Sequence, residues 1–222
     1  MRALSLAISS ALVLTACSNA EPDEARWTDY AAAVGGLIRA ELSRPSNDCR
    51  RDDIDPVWTE AAERMNAKDQ RARSGVSDEE WRRLDAENAA ELASLLETRG
   101  WPEPCALSRA GALGLFYVVQ HHRDAELRRQ ALPHLEAMAE AGRLRRSDLA
   151  LLIDRVLTGQ GLPQRFGTQY RCDRTIGRYV RIETEAPAQL DRRRRSMALM
   201  RADVELRLVN ARNDGRCTAQ ES

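Results

Sequence analysis

From Arg26 to Val156 apolar residues recur every three or four positions, and residues that start or stop helices bound each run. This periodicity constrains the fold more than any other feature, because a chain patterned at 3.6 residues buries its apolar stripe only as a helix. Ser77-Asp78-Glu79-Glu80 is a capping box, with Ser77 at the N-cap and Glu80 three residues on. A helix therefore starts at residue 78, carries Trp81, Leu84, Asn88, Leu92, Leu95 and Leu96 near one face, and stops at Gly100. Residues 26–42 place Tyr30, Val34, Leu37 and Ile38 on one stripe, and further helices are predicted over about 56–72 and 107–122. Asp124 caps a helix over 125–141, ended by Gly142, in which Pro133 predicts a kink or a break. Ser147 caps a helix over 148–157.

Beyond it the pattern changes. "TGQGLPQRFG" (158–167) reads as a loop, and "TQYRC" (168–172) and "RYVRIE" (178–183) read as the strands of a hairpin. A last helix over about 188–210 is expected to bury Met197, Met200, Val204 and Leu208. The expected fold is mainly α, a multi-helix orthogonal bundle with one small β-hairpin near the C-terminal third, in a single domain over 26–222. The 222 residues, 43% hydrophobic and 31% charged, suffice for one globular domain with a sizeable core. Two small domains would also fit that length.

Residues 1–17 carry a different signal. Met1-Arg2 is followed by an apolar stretch, Ala3 to Ala16, too short to span a membrane comfortably. It ends in Leu14-Thr15-Ala16-Cys17, which resembles a bacterial lipobox. That resemblance implies cleavage before Cys17 and acylation of its sulfur and its new amino group. The alternative is an ordinary signal peptide cut at another small residue. Several acyl chains hold a protein on a membrane far more firmly than one. Ser18 follows, with no aspartate to suggest inner-membrane retention, so in a Gram-negative cell the expected place is the outer membrane, facing the periplasm. Residues 18–25 form a polar tether. Four cysteines remain, Cys49, Cys105, Cys172 and Cys217, and an even count in an exported chain predicts two disulfides. Of the three possible pairings the favoured one is Cys49–Cys105 and Cys172–Cys217, each stapling a loop-rich end to a neighbouring segment; buried free thiols are the alternative.

Formal net charge is zero, so no global field draws nucleic acid. Of the 34 basic residues only Lys68 is lysine, which codon bias in a GC-rich genome explains; single arginines can still have arginine-specific roles. The run Arg192–Arg195 reads as a solvated helix face, or alternatively as a contact for anionic lipid headgroups. With three histidines and no Gly-x-Ser-x-Gly, His-Glu-x-x-His or Cys-x-x-Cys, the sequence predicts no metal, no cofactor and no serine-hydrolase elbow.

Four places put polar residues where the pattern calls for apolar ones. The first is Gln120-His121, at the end of an apolar helix. His122 shares a face with Leu115, Val118 and Val119, whereas His121 lies nearer Tyr117. The two histidines either finish a helix, or His121 serves as a general acid/base. The second is Asp154-Arg155 within "LALLIDRVL"; a buried carboxylate needs a partner, either a structural cation or His121, which Asp154 would orient. The third is the loop "GQGLPQRFGTQ", whose Gln164, Thr168 and Gln169 offer neutral hydrogen-bonding groups. The fourth joins Asp69-Gln70…Arg73, commonly a surface pair, to Asp85 and Asn88 on a partly buried face.

The segments "DQRAR" (69–73), "DAEN" (85–88), "RGWP" (99–102), "VVQH" ending at His121, "LIDRV" (152–156) and "G-LPQRFGTQ" (161–169) resemble, in this order, the bacterial domain of unknown function 6624 family. The resemblance covers about residues 60–170. It implies a mainly helical, often exported or lipid-anchored protein and supplies no reaction. It groups Gln120, His121, Asp154, Arg155, Gln164 and Gln169 as a set. The chain departs from the family pattern after the histidine, with His122-Arg123-Asp124 where Ala-Asp is expected. Three function classes stay open: a module binding a small polar ligand through Gln120, Arg155, Gln164, Thr168 and Gln169; a hydrolase or transferase using His121 with Asp154; and a structural envelope lipoprotein. Apart from the membrane, reached through Cys17, no partner or oligomeric state is indicated.

Overall fold

The computed structural model describes residues 49–213 and 215–218. The signal peptide with Cys17, the tether and the helix expected over 26–42 lie outside the described residues. Seven α-helices and one hairpin follow in order: α1 (Pro56–Ala72), α2 (Asp78–Arg99), α3 (Arg109–His121), α4 (Ala125–Glu140), α5 (Arg146–Gly159), β1 (Tyr170–Asp173), β2 (Arg178–Arg181), α6 (Leu190–Ser196) and α7 (Ala202–Arg212). Short 3-10 turns at Arg51–Asp53 and Pro187–Gln189 complete them. None of the described helices is long and apolar enough to cross a membrane.

The helix starts follow capping chemistry. Ser77 Oγ accepts the Glu80 N–H at 3.2 Å, Ser108 Oγ the Gly111 N–H at 2.9 Å, and Asp124 the Glu126 N–H at 2.8 Å. Asp55, with Pro56 behind it, caps α1 through the Val57 and Trp58 amides.

Helix α3 is the spine. It packs against α1, α4 and α5, and buries Leu115, Phe116, Val118 and Val119. Met65 of α1, Leu92 of α2, Leu135 and Met138 of α4 and Leu152 of α5 close around it. Gly114 sets the depth of the α1–α3 crossing. A Cβ there would stand 2.5 Å from the Ala62 carbonyl oxygen, so only glycine lets the backbones approach so closely. The antiparallel hairpin pairs Tyr170 with Arg181 and Asp173 with Arg178, and β2 packs on α7. Disulfides join Cys49 to Cys105 and Cys172 to Cys217, the expected pairing.

Four expectations need correction. Of the kink or break expected at Pro133 there is no break: α4 runs through it, and Ala131, Leu135 and Met138 pin the helix to the core on both sides. Helix α5 begins at Arg146 rather than after Ser147, with Arg145 gripping Asp148 through two bonds of 2.6 and 2.7 Å. The last helix is two helices. The Leu199 N–H turns back to the Arg194 carbonyl, Ala198 adopts φ 53°, and α6 ends at Ser196. Met197, Met200, Val204 and Leu208 are in consequence only half-buried. Arg194, read as part of a solvated face, is 0% exposed.

Candidate functional site

Helix α1 turns a stripe of Trp58, Ala61, Ala62, Met65, Asp69 and Ala72 inward. Asp69 holds a core position in that stripe and is 2% exposed. A carboxylate there is costly unless charged and hydrogen-bonding partners reach it. They do. His121 Nδ1 lies 2.9 Å from both Asp69 oxygens, Gln70 Nε2 donates at 3.1 Å, and Arg73 Nη2 stands at 3.3 Å. Arg73 also bonds Asp85 of α2 at 3.2 Å. The side chains of Asp69 and His121 meet across 52 positions of sequence because α3 lies tightly on α1 through Gly114. Asn88 steadies α2 beside them by donating to the Met65 carbonyl at 2.9 Å.

A carboxylate only accepts hydrogen bonds, so a neutral His121 ring carries its hydrogen on Nδ1 and a lone pair on Nε2. Nε2 has no hydrogen-bond partner among the described residues. The ring stacks on Tyr117, with centroids 6.1 Å apart, and 27% of the side chain stays exposed. His121 and Asp69 line an open cleft of about 140 Å³ with Arg82, Asp85, Asn88 and Arg123. A cavity of ~150 Å³ is enough to admit benzene, so the cleft takes a small ligand or one group of a larger one. Trp81 braces its rim beneath the guanidinium groups of Arg123 at 4.7 Å and Arg73 at 5.8 Å. The arrangement can bind a polar group and move a proton at Nε2.

His122 ends the helix. It is the C-cap of α3, and its Nδ1 accepts the Asp124 N–H at 3.1 Å. Burial lowers its pKa, Arg128 lowers it further, and Asp124 opposes them. Among the described residues no group of three or more His, Cys, Asp or Glu side chains could hold a metal ion.

The other expected site residues lie elsewhere. Asp154 does not orient His121. Fully buried, its carboxylate accepts the backbone N–H groups of Arg165, Phe166 and Thr168 at 2.8–2.9 Å and the Thr168 hydroxyl at 2.9 Å. Gln164 spends its amide on the Gln169 and Ile182 carbonyls and the Gln169 N–H, and Gln169 donates to the Leu151 carbonyl. Arg194 closes the same loop from above, bonding the Phe166, Gly167 and Met200 carbonyls and Glu205 at 2.6–3.3 Å. Three of the five expected ligand-binding residues, Gln164, Thr168 and Gln169, thus belong to a closed polar knot. Gln120 is buried with its carbonyl taken by Arg155 Nη1 at 3.1 Å, and neither residue lines the His121 cleft.

Asp69 and Asp85 are the partners that sequence reasoning read as a surface pair and a partly buried face. The signal for Asp69 was present: it replaces an apolar residue at helix spacing after Trp58, Ala62 and Met65, the same sign that singled out Asp154. No curated protein and no solved structure matches the chain. A family of unknown function matches over residues 76–215, which takes in the hairpin and the last two helices and begins after "DQRAR", later than the span expected from the motifs. That match covers more than half of the chain, and the protein belongs to the family of unknown function DUF6624.

Proposed function

We propose that this protein is an envelope lipoprotein that binds a small polar ligand in the cleft between α2 and α3 and performs general acid/base chemistry on it through His121. The observation that carries this reading is the Asp69–His121 pair, a buried carboxylate fixing one ring nitrogen while the other faces an open cleft. Asp69 fixes the tautomer of the neutral ring, which leaves the Nε2 lone pair to take a proton from the ligand or from water. Arg82 and Arg123 hold anionic or strongly polar groups of the ligand. The described lining includes no serine, threonine or cysteine, so the group activated by Nε2 is a water or a ligand hydroxyl. Hydrolysis or transfer to a hydroxyl are the two reactions that this supports. The lipobox-like Cys17 supports anchorage in the outer membrane, facing the periplasm.

The test is a screen of chromogenic phosphate esters, carboxylic esters and glycosides, run beside a thermal-shift screen of small polar metabolites. His121→Ala lowers turnover of any substrate found by ~10²–10⁴-fold, the usual worth of a positioned acid/base group. Hits that remain unchanged in His121→Ala and Asp69→Asn refute the assignment. For the anchor, Cys17→Ala releases the protein from membranes, and unchanged retention refutes the lipid attachment.

A further inference from the structure

A second cavity, about 380 Å³, shares no lining residue with the His121 cleft. Arg128, Arg129 and Arg155 line it, with Asp124 and Glu126. The carboxylates are already in use. Glu126 is bound by Arg129 at 2.7 Å and by Gln130 at 3.0 Å, and the Arg129 contact holds it down at about 2. Asp124 caps α4 through the Glu126 N–H. Arg128 and Arg155 differ: neither has a carboxylate within ion-pairing distance among the described residues. Each instead sends Nη1 to a main-chain carbonyl at the end of α3, Arg128 to His122 and Arg155 to Gln120 at 3.1 Å. Their Nε–H groups are buried without hydrogen-bond partners.

The pair is electrostatically unfavourable as it stands. Arg155 is partly buried, and its burial, then the charges of Arg128 and Arg73, push its pKa down. The C-terminus of one helix favours a nearby cation only weakly, which does not account for two. Two guanidinium groups at one cavity, whose lining carboxylates Asp124 and Glu126 are engaged elsewhere, are the donor set that grips a tetrahedral oxyanion.

We infer that Arg128 and Arg155 form a binding site for a dianionic oxyanion, inorganic phosphate or the phosphate group of a larger molecule. The site is separate from the His121 cleft and does not rest on the function proposed for it.

The experiment is calorimetric titration of the folded protein with inorganic phosphate and with glycerol 3-phosphate, at constant ionic strength against chloride. The expected result is saturable binding, with Arg128→Met and Arg155→Met each weakening it about tenfold or more. Tighter binding of glycerol 3-phosphate assigns the site to an esterified phosphate, and tighter binding of inorganic phosphate to the free ion. Should a variant fail to fold, phenylglyoxal modification of the wild type decides: phosphate protects Arg128 and Arg155 and leaves Arg82 and Arg123 reactive. His121→Ala keeps the phosphate affinity; its loss there would place the anion in the cleft and overturn the second site. No binding beyond chloride, unchanged affinity in both variants, or absent protection also overturns it.

Discussion

Two polar clusters share this fold, each built on a buried carboxylate, and they have opposite characters. Asp154 sits at 0% exposure and points all its accepting capacity at one loop, "RFGT", which Arg194 and Arg181 grip through the Phe166 and Gly167 carbonyls. Asp69 is nearly as buried, yet one of its partners is a histidine whose other nitrogen faces solvent. A closed network spends its hydrogen-bonding capacity on the fold itself. An open one leaves a group available for a ligand. Partner type separates them: backbone amides around Asp154, titratable and charged side chains around Asp69.

Breaking the knot should cost the most stability. Asp154→Ala orphans the amides of Arg165, Phe166 and Thr168 at once, and about 3–5 kcal/mol of unfolding free energy should be lost, read from urea denaturation. A loss below about 1 kcal/mol would show that the loop is held by other means. Gly114→Ala attacks the cleft through its scaffold. The new methyl meets the Ala62 carbonyl, so about 1–3 kcal/mol should be lost together with the Asp69–His121 contact, and any His121-dependent activity should fall with it. Activity kept at the wild-type level would detach the contact from function.

Asp69→Asn sharpens the contrast from the other side. It keeps the volume and should cost about 1–3 kcal/mol, under the Asp154→Ala value, while removing the charge that fixes the His121 tautomer. A larger cost than that of Asp154→Ala would invert the comparison. The smallest effect concerns pH. Burial holds the pKa values of His122 and His134 below the ordinary 6.5. Because the folded values are depressed, their contribution to stability is present above 6.5 and is lost as pH falls through the folded values. The unfolding temperature should decline as pH drops from 7.5 towards 5.5, and His122→Asn should flatten the decline. A profile unchanged by that replacement would contradict the burial.

The mainly α architecture, the helix starts at Ser77 and Asp124, the hairpin and the presence of two disulfides were legible in the sequence, because periodicity, capping residues and an even cysteine count are local signals. The break after Ser196 was not. It comes from Arg194 folding back onto the Phe166, Gly167 and Met200 carbonyls, and nothing in "DRRRRSMALM" marks one arginine of four as buried. The site was half legible. His121 stands out by its rarity and its place at a helix end. Its partner does not, since Asp69 and Asp154 carry the same local sign, a carboxylate in an apolar stripe. Which of them meets His121 depends on the close crossing of α1 and α3 at Gly114, a tertiary fact.

Asp69, and not Asp154, holds His121 through Nδ1 and leaves Nε2 without a partner among the described residues. Long-range ¹H–¹⁵N NMR of the imidazole rings tests it directly. Neutral His121 should be the Nδ1–H tautomer with a bare Nε2, Asp69→Asn should abolish this preference, and Asp154→Asn should leave it in place in the folded protein. An Nε2–H tautomer in the wild type, or a His121 signal that ignores Asp69→Asn, would contradict it.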